Sequence, residues 1–216
     1  MVSCIRRIRG QGRSRANVPS VPVEAGIRIE WFEEPGEYPD GSSDSLRRPT
    51  VTLENPQVGD IQEAARGIRL APSLLDLGLL EAIPLADIIA NADPDDIDGD
   101  HISGVASVVF TAGGATLGRF GLKANVASVK DDAGEDLSDG RGDGTAGPSE
   151  WRTAPLWGIG LVRSVDPDAG FLHDGRARSI EEAILWHGGE AVHTRVAFMK
   201  LNASDRKLVL LFLRSL

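Results

Sequence analysis

Two histidines flank a marked helix start in FLHDGRARSIEEAILWHGGEA (171–191). His173 stands just before a DG turn, and His187 lies fourteen residues later, just before a double glycine. Imidazole is the commonest protein metal ligand, so a pair held this way looks like the cover of a metal site. A histidine at a helix C-terminus is also a dipole-stabilised cap, and on the residues alone that role suits either one. His193, beyond the glycines, reads as exposed.

A second cluster is acidic. DPDDIDGDHISG (93–104) puts Asp96, Asp98 and Asp100 at alternate positions, as calcium loops do to converge carboxylates on a hard cation. The segment departs from an EF-hand, because His101 stands where the sixth position wants glycine and no Glu stands at the twelfth. The alternative is a solvated acidic turn, although five aspartates in eight residues repel one another unless something offsets them. A third stretch, RTAPLWG, is extended and rigid before its proline, with the carbonyls of Thr153 and Pro155 turned outward if the chain is polyproline-like. Nucleophilic triads find no support: no GxSxG occurs, and the serines fall in caps and loops. GGATLGRFG lacks the GK[ST] ending of a phosphate loop.

The elements that must position these residues follow from periodicity. Ile27, Ile29 and Trp31 alternate with polar residues, and RRPTVTLENP supplies a partner strand, so 23–55 reads as a hairpin. PSLLDLGLLEAIPLADIIANA carries two short helical runs broken at Pro84; Leu74, Leu75, Leu77, Leu79, Leu80 and Ile83 leave few polar faces and read as core. PLADIIANA opens at a proline suited to a first helical turn. SIEEAILWHGG reads as a helix with a capping box, Ser179 with Glu182, and a glycine stop. NASDRKLVLLFLRSL begins with Ser204 as a cap and reads as a terminal core helix.

These elements divide the chain into a flexible basic arm (1–22), a partial N-terminal domain of hairpin, core helices and acidic loop (23–127), a polar linker (128–150) and a C-terminal helical unit (151–216). The fold class expected is mainly α, with a small β-hairpin and long loops.

Bulk properties set the outer limits. The net charge of −9 argues against nucleic-acid binding, which needs a positive field to reach phosphates. The basic stretch CIRRIRGQGRSR (4–15) reads as an arm, and without an apolar run behind it, not as a secretory signal. No run of about 18 apolar residues would span a membrane. Cys4 is the chain's one cysteine, so it forms neither an internal disulfide nor a C-x-x-C-H attachment.

Taken together, GRFGLKA (118–124), LSDGRGDGTAGPSEWRTAPLWGIGL (137–161), FLHDGRARSIEEAILWHGGEA (171–191) and DRKLVLLFLRSL (205–216) resemble the di-haem oxidoreductases related to bacterial cytochrome c peroxidases. IRIEWFEEPGEYPDGSSDSLRRPT and LGLLEAIPLADIIANADPDDIDGDHISG agree, in the family's order. The resemblance implies a periplasmic protein of two cytochrome-c-like helical domains. Each would attach haem c through C-x-x-C-H, and a redox partner protein would exchange electrons with the haems. It implies that His173 lies in a haem pocket and that His187 occupies the far-side axial position. It also implies that Thr153 and Pro155 match calcium ligands found between the haems of related peroxidases.

The departures are specific. One attachment stretch would precede the hairpin, and this chain is expected to begin too late to hold it. The other would lie between GRFGLKA and LSDGRGDG, where only about a dozen residues of acidic loop stand, and Leu122 replaces a common tryptophan. The expectation is a cytochrome-c-like remnant: a shortened, haem-free relative without independent activity. The alternatives are a protein that binds haem non-covalently and a calcium-dependent binding module.

Overall fold

The computed structural model describes residues 26–55, 68, 70, 77–111, 113–125, 127 and 151–216. The 1–22 arm with Cys4, Leu74, Leu75 and the 128–150 linker lie outside the described residues.

β1 (Gly26–Glu37) and β2 (Ser43–Glu54) form an antiparallel ribbon in continuous register from Gly26 opposite Glu54 to Glu37 opposite Ser43. Pro35 and Pro49 interrupt neither strand. Both strands are sheet edges, where a missing N–H can face solvent. The turn closes through Tyr38 N–H to Ser42 O (2.9 Å), with Gly41 at φ +81°. A lone two-stranded ribbon is marginal in water. This one docks: Tyr38 and Leu46 pack into a core with Ile180, Leu185, Phe198 and Leu210.

The two helical runs appear as α1 (Leu77–Ala82) and α2 (Leu85–Ala90), split at Pro84. Pro84 occupies the position before α2 and not its first turn. Leu77 is buried with Phe120 and Leu80 packs on them, but Leu79 is exposed, so this segment is core on one side only. The buried Arg119 guanidinium donates to the carbonyls of Leu80, Glu81 and Ile83 (3.1, 2.9 and 2.8 Å), gathering the acceptors that the end of a helix leaves free. A second small ribbon, β3 (Val108–Thr111) against β4 (Gly114–Leu117), leads into Arg119 and Phe120.

The C-terminal part begins with a 3-10 turn (Ile159–Leu161). α3 (Val162–Val165), α4 (Ile180–Trp186), α5 (Val192–Lys200) and α6 (Ala203–Arg214) follow. The cap of α6 is Asn202, which accepts from Asp205 N–H at 3.0 Å; Ser204 stands inside the helix. α6 meets the core along one face. Leu210 is buried and Val209 and Leu213 pack beside it, while Leu208, Leu211 and Phe212 face outward.

The expectation of a mainly α chain, a cytochrome-c-like helical remnant, is overturned. Helix makes up 34% and strand 24% of the described chain, with two antiparallel ribbons. Strand pairing runs on through both prolines for twelve residues per strand, beyond the alternation at Ile27, Ile29 and Trp31, and a second ribbon adds to it. The helices meanwhile stop early, at Pro84, at the Gly188–Gly189 pair and at the irregular 166–178 stretch. Among the described residues no helix is long and apolar enough to cross a membrane.

Candidate functional site

His173 stands at the apex of a tight loop. Phe171 and Ala177 close its neck as an antiparallel bridge, with Phe171 N–H on Ala177 O at 2.8 Å. Leu172 (φ +68°) and Gly175 (φ +71°) turn the chain, and Gly175 N–H donates to Leu172 O at 3.2 Å. Gly170 admits no side chain, since a Cβ there would sit 2.3 Å from Gly175 O. Beneath the apex, buried Asp174 accepts from Arg176 N–H (3.1 Å) and Arg176 Nε (2.7 Å), which locks the turn.

Three segments distant in sequence meet at His173. Its carbonyl accepts from Leu70 N–H at 2.7 Å, and its ring stacks on Trp151 with centroids 3.9 Å apart and planes at 15°. The buried Lys123 ammonium lies 3.9 Å from the centre of the same indole, a cation–π contact. Arg152 secures this corner by donating its N–H to Leu122 O (2.9 Å) and its Nε to Gly121 O (2.7 Å). The GRFGLKA segment is thus the platform on which Trp151 and then His173 are placed.

α4 is set by charge. Ser179 caps it, accepting Glu182 N–H at 3.0 Å, but the reciprocal half of the expected capping box is absent. The buried Glu182 carboxylate reaches instead to Arg178 N–H (2.6 Å), to Arg178 Nε (2.9 Å) and across to Arg47 N–H of β2 (3.0 Å). Arg47 returns its guanidinium to the carbonyls of Arg176 (2.9 Å) and Gly175 (3.1 Å). Arg178 spans back to Glu33 (2.9 Å) and Ser45 O (2.8 Å). The Ser45 hydroxyl foremost, and then Arg178, hold Glu33 below the usual carboxylate range, while the carboxylate of Glu182 raises Arg178. At the turn, buried Arg206 bonds Asp40 (2.7 Å) and Leu201 O (2.7 Å). The Ser42 hydroxyl and N–H, with Arg206, pull Asp40 down to about 2. Tyr38 donates to Glu181 at 2.7 Å, and burial raises its phenol.

His187 ends α4. Its Nδ1 lies 2.7 Å from Ala183 O, one turn back. A carbonyl only accepts, so in the neutral ring Nδ1 carries the proton and Nε2 keeps its lone pair. Beside it Trp186 lies 4.9 Å from the Arg48 guanidinium and 4.8 Å from that of Arg176. His173 and His187 therefore occupy opposite ends of the 171–187 segment, one on an indole and one on a helix carbonyl.

The acidic loop is closed by paired backbone bonds between Asp93 and Gly104 (2.9 and 3.0 Å). Asp96 and Asp98 converge with Asp93, their carboxylate oxygens within 4.8 Å of one another; Asp100 is outside this group and accepts Ile102 N–H at 2.8 Å. Asp93 accepts from Ile97 N–H (2.9 Å) and Asp98 N–H (3.2 Å), so backbone donors already offset part of the charge. Thr153 is exposed and Pro155 half-buried in an irregular stretch, and neither belongs to the acidic group.

Sequence reasoning missed the arginines of this arrangement. Arg47, Arg178 and Arg206 look like surface charges in the chain; what marks them is the excess of Glu and Asp in the partner segments 33–44 and 181–182.

The family described as "Di-haem oxidoreductase, putative peroxidase" matches residues 23–133 and, as a second piece, 130–216, and the chain belongs to that family. No curated protein and no solved structure matches it.

The haem that the family implies can be tested against the donors present. Haem c needs two thiols and a histidine in C-x-x-C-H, and the chain has one cysteine, Cys4, in CIRRI. The residues present do not fit covalent haem.

Proposed function

We propose that this chain is a shortened, haem-free member of the di-haem oxidoreductase family without peroxidase activity of its own. It retains the loop and helix that flank a haem pocket in the family, but not the thiols that tether the porphyrin. One observation carries the reading. The family match breaks into two pieces that meet at 130–133, and the residues joining GRFGLKA to LSDGRGDG hold no cysteine. A single continuous relative would match in one piece, so a break at the point where an attachment stretch belongs supports its loss. On the same family ground the proposal sets the chain in the periplasm, beside a redox partner protein. The test is a pyridine-haemochrome spectrum of the full chain expressed with a haem c maturation system. A colourless product supports the reading; a thioether-bound haem spectrum refutes it.

A second reading, non-covalent haem, is favoured by His187, whose bond to Ala183 leaves Nε2 available. A histidine–iron bond can hold haem in an apolar pocket. Haemin added to the purified chain should then give a Soret shift that disappears in His187→Ala. No shift in the parent ends this second reading.

A further inference from the structure

Among the described residues β1 keeps one backbone edge unpaired, and the contacts of β2 show which groups face it. Arg47 N–H leaves the ribbon to reach Glu182 (3.0 Å), and Ser45 O turns outward to accept from Arg178 (2.8 Å). Residues 45 and 47 of β2 therefore point away from β1. In an antiparallel pair, directly opposed residues either exchange both bonds or turn all their groups out. Pro35 and Glu33, which stand opposite Ser45 and Arg47, thus point away from β2, and alternation extends this to Trp31, Ile29 and Ile27. The prolines agree: Pro35, and Pro49 opposite Trp31, both fall at outward positions, where a missing N–H costs the ribbon nothing. α4 and the residues before it meet the outward groups of β2. Those of Ile29 and Trp31 on β1 meet no partner among the described residues.

An open edge of this kind accepts a further strand, and β1 is complementary to a second copy of itself. With Ile29 set opposite the partner's Ile29 across a two-fold axis, outward groups meet outward groups. Ile29 then pairs with the partner's Ile29 and Trp31 with the partner's Ile27, giving about six N–H···O bonds. At the intervening positions Arg28 falls opposite Glu30 of the partner subunit, and the symmetry repeats the pair. Both side chains are exposed; Glu30 has no ion-pair partner among the described residues, and Arg28 bonds Glu54 of its own ribbon. Opposite charges directly across a ladder stabilise it, and like charges destabilise it. Centring the axis on Glu30 would set Glu30 against the partner's Glu30. Centring it on Trp31 would set Pro35, which has no N–H, against the partner's Ile27. The charges and the proline therefore select the register centred on Ile29.

We propose that two copies of this chain associate through their β1 edges, joining two ribbons into one antiparallel sheet in the order β2–β1–β1–β2. The experiment is sedimentation equilibrium of the full chain from about 1 to 200 µM, with amide hydrogen exchange at both ends of that range. A reversible dimer is expected. The N–H groups of Ile29 and Trp31 should exchange fast in the dilute monomer and about 10-fold slower or more in the dimer. Glu33, beyond the paired run, should stay fast, and Arg28 and Glu30, which face β2, slow throughout. Ile29→Pro removes an outward N–H, as Pro35 and Pro49 already do, so β1 stays paired with β2 while the dimer is lost. Glu30→Arg should weaken association about 10-fold, and Arg28→Glu added to it should restore most of the affinity. A chain that stays monomeric throughout the range, or a dimer unaffected by Ile29→Pro, would overturn the proposal. So would slow exchange of Ile29 and Trp31 in the dilute chain, since the edge would then be covered by another part of the same polypeptide.

Discussion

Replacing Glu182 with alanine tests whether the hairpin and the histidine loop are held by one buried carboxylate. The side chain is 4% exposed and accepts two backbone N–H groups, from Arg47 on β2 and from Arg178, besides the Arg178 guanidinium. Each N–H left without an acceptor costs about 1–3 kcal/mol. The Arg178 guanidinium is 40% exposed and keeps Glu33 and Ser45 O, so its lost pairing adds less than about 1 kcal/mol. The expected loss is about 3–5 kcal/mol, a large share of a typical domain's stability. With a urea slope of about 2 kcal/mol per molar, the midpoint falls by about 1.5–2.5 M. Tryptophan fluorescence reads the transition, since Trp31 lies on β1 against Arg47. Glu182→Gln keeps one acceptor and should lose about half as much. Glu181→Ala removes only the acceptor of Tyr38 and should cost about 1 kcal/mol. A Glu182→Ala cost below 1 kcal/mol, or equal costs for Glu181→Ala and Glu182→Ala, would refute this account.

Three further outcomes follow from the same geometry. Gly170→Ala sets a methyl 2.3 Å from Gly175 O in the neck of the His173 loop and should destabilise by about 1–3 kcal/mol or more in thermal unfolding; a neutral result means the loop is not closed as described. Acid should erode stability as pH falls from the ordinary aspartate value of 3.8 towards about 2, because a depressed folded pKa contributes only while the group is charged; Asp40→Asn should flatten that limb, and an unchanged limb excludes Asp40 as its source. Half-buried Asp44, shifted upward chiefly by burial, acts with the opposite sign. Calcium should bind to the 93–104 loop no tighter than about millimolar, since Asp93 already accepts two N–H groups, with what heat there is lost in Asp98→Ala; tight binding would show that these backbone bonds give way to the ion.

Local features were legible in the chain wherever the signal was itself local. The alternation around Ile29 and Trp31, the break at Pro84, the Ser179 cap and the glycine stop all appear where composition puts them. What could not be read depends on contacts between distant segments. Glu182 fits a capping box by spacing, yet Arg47, 135 positions away, competes for its carboxylate and takes part of it. The closing helix contains leucines on more than one face, so its sequence marks a core helix without saying which face is covered. Only the packing of Ile159, Leu185 and Phe198 decides that the Leu210 face is covered and the Phe212 face is not. The histidines divide in the same way: the turn and helix end that hold His173 and His187 are marked locally, while the meeting of His101 with His193 follows from the loop closure at Asp93–Gly104 and the Ser103–Glu190 clasp.

The contacts around His173 account for the shape of its loop. Here Asp174 is satisfied by Arg176, the carbonyls of Gly175 and Arg176 by Arg47, and the His173 carbonyl by Leu70, while the imidazole face rests on Trp151. Each partner is supplied by the polypeptide: Arg176 by the loop itself, Arg47 by the β-hairpin, and Leu70 and Trp151 by two further segments. The conformation of the loop is therefore held by the protein scaffold itself.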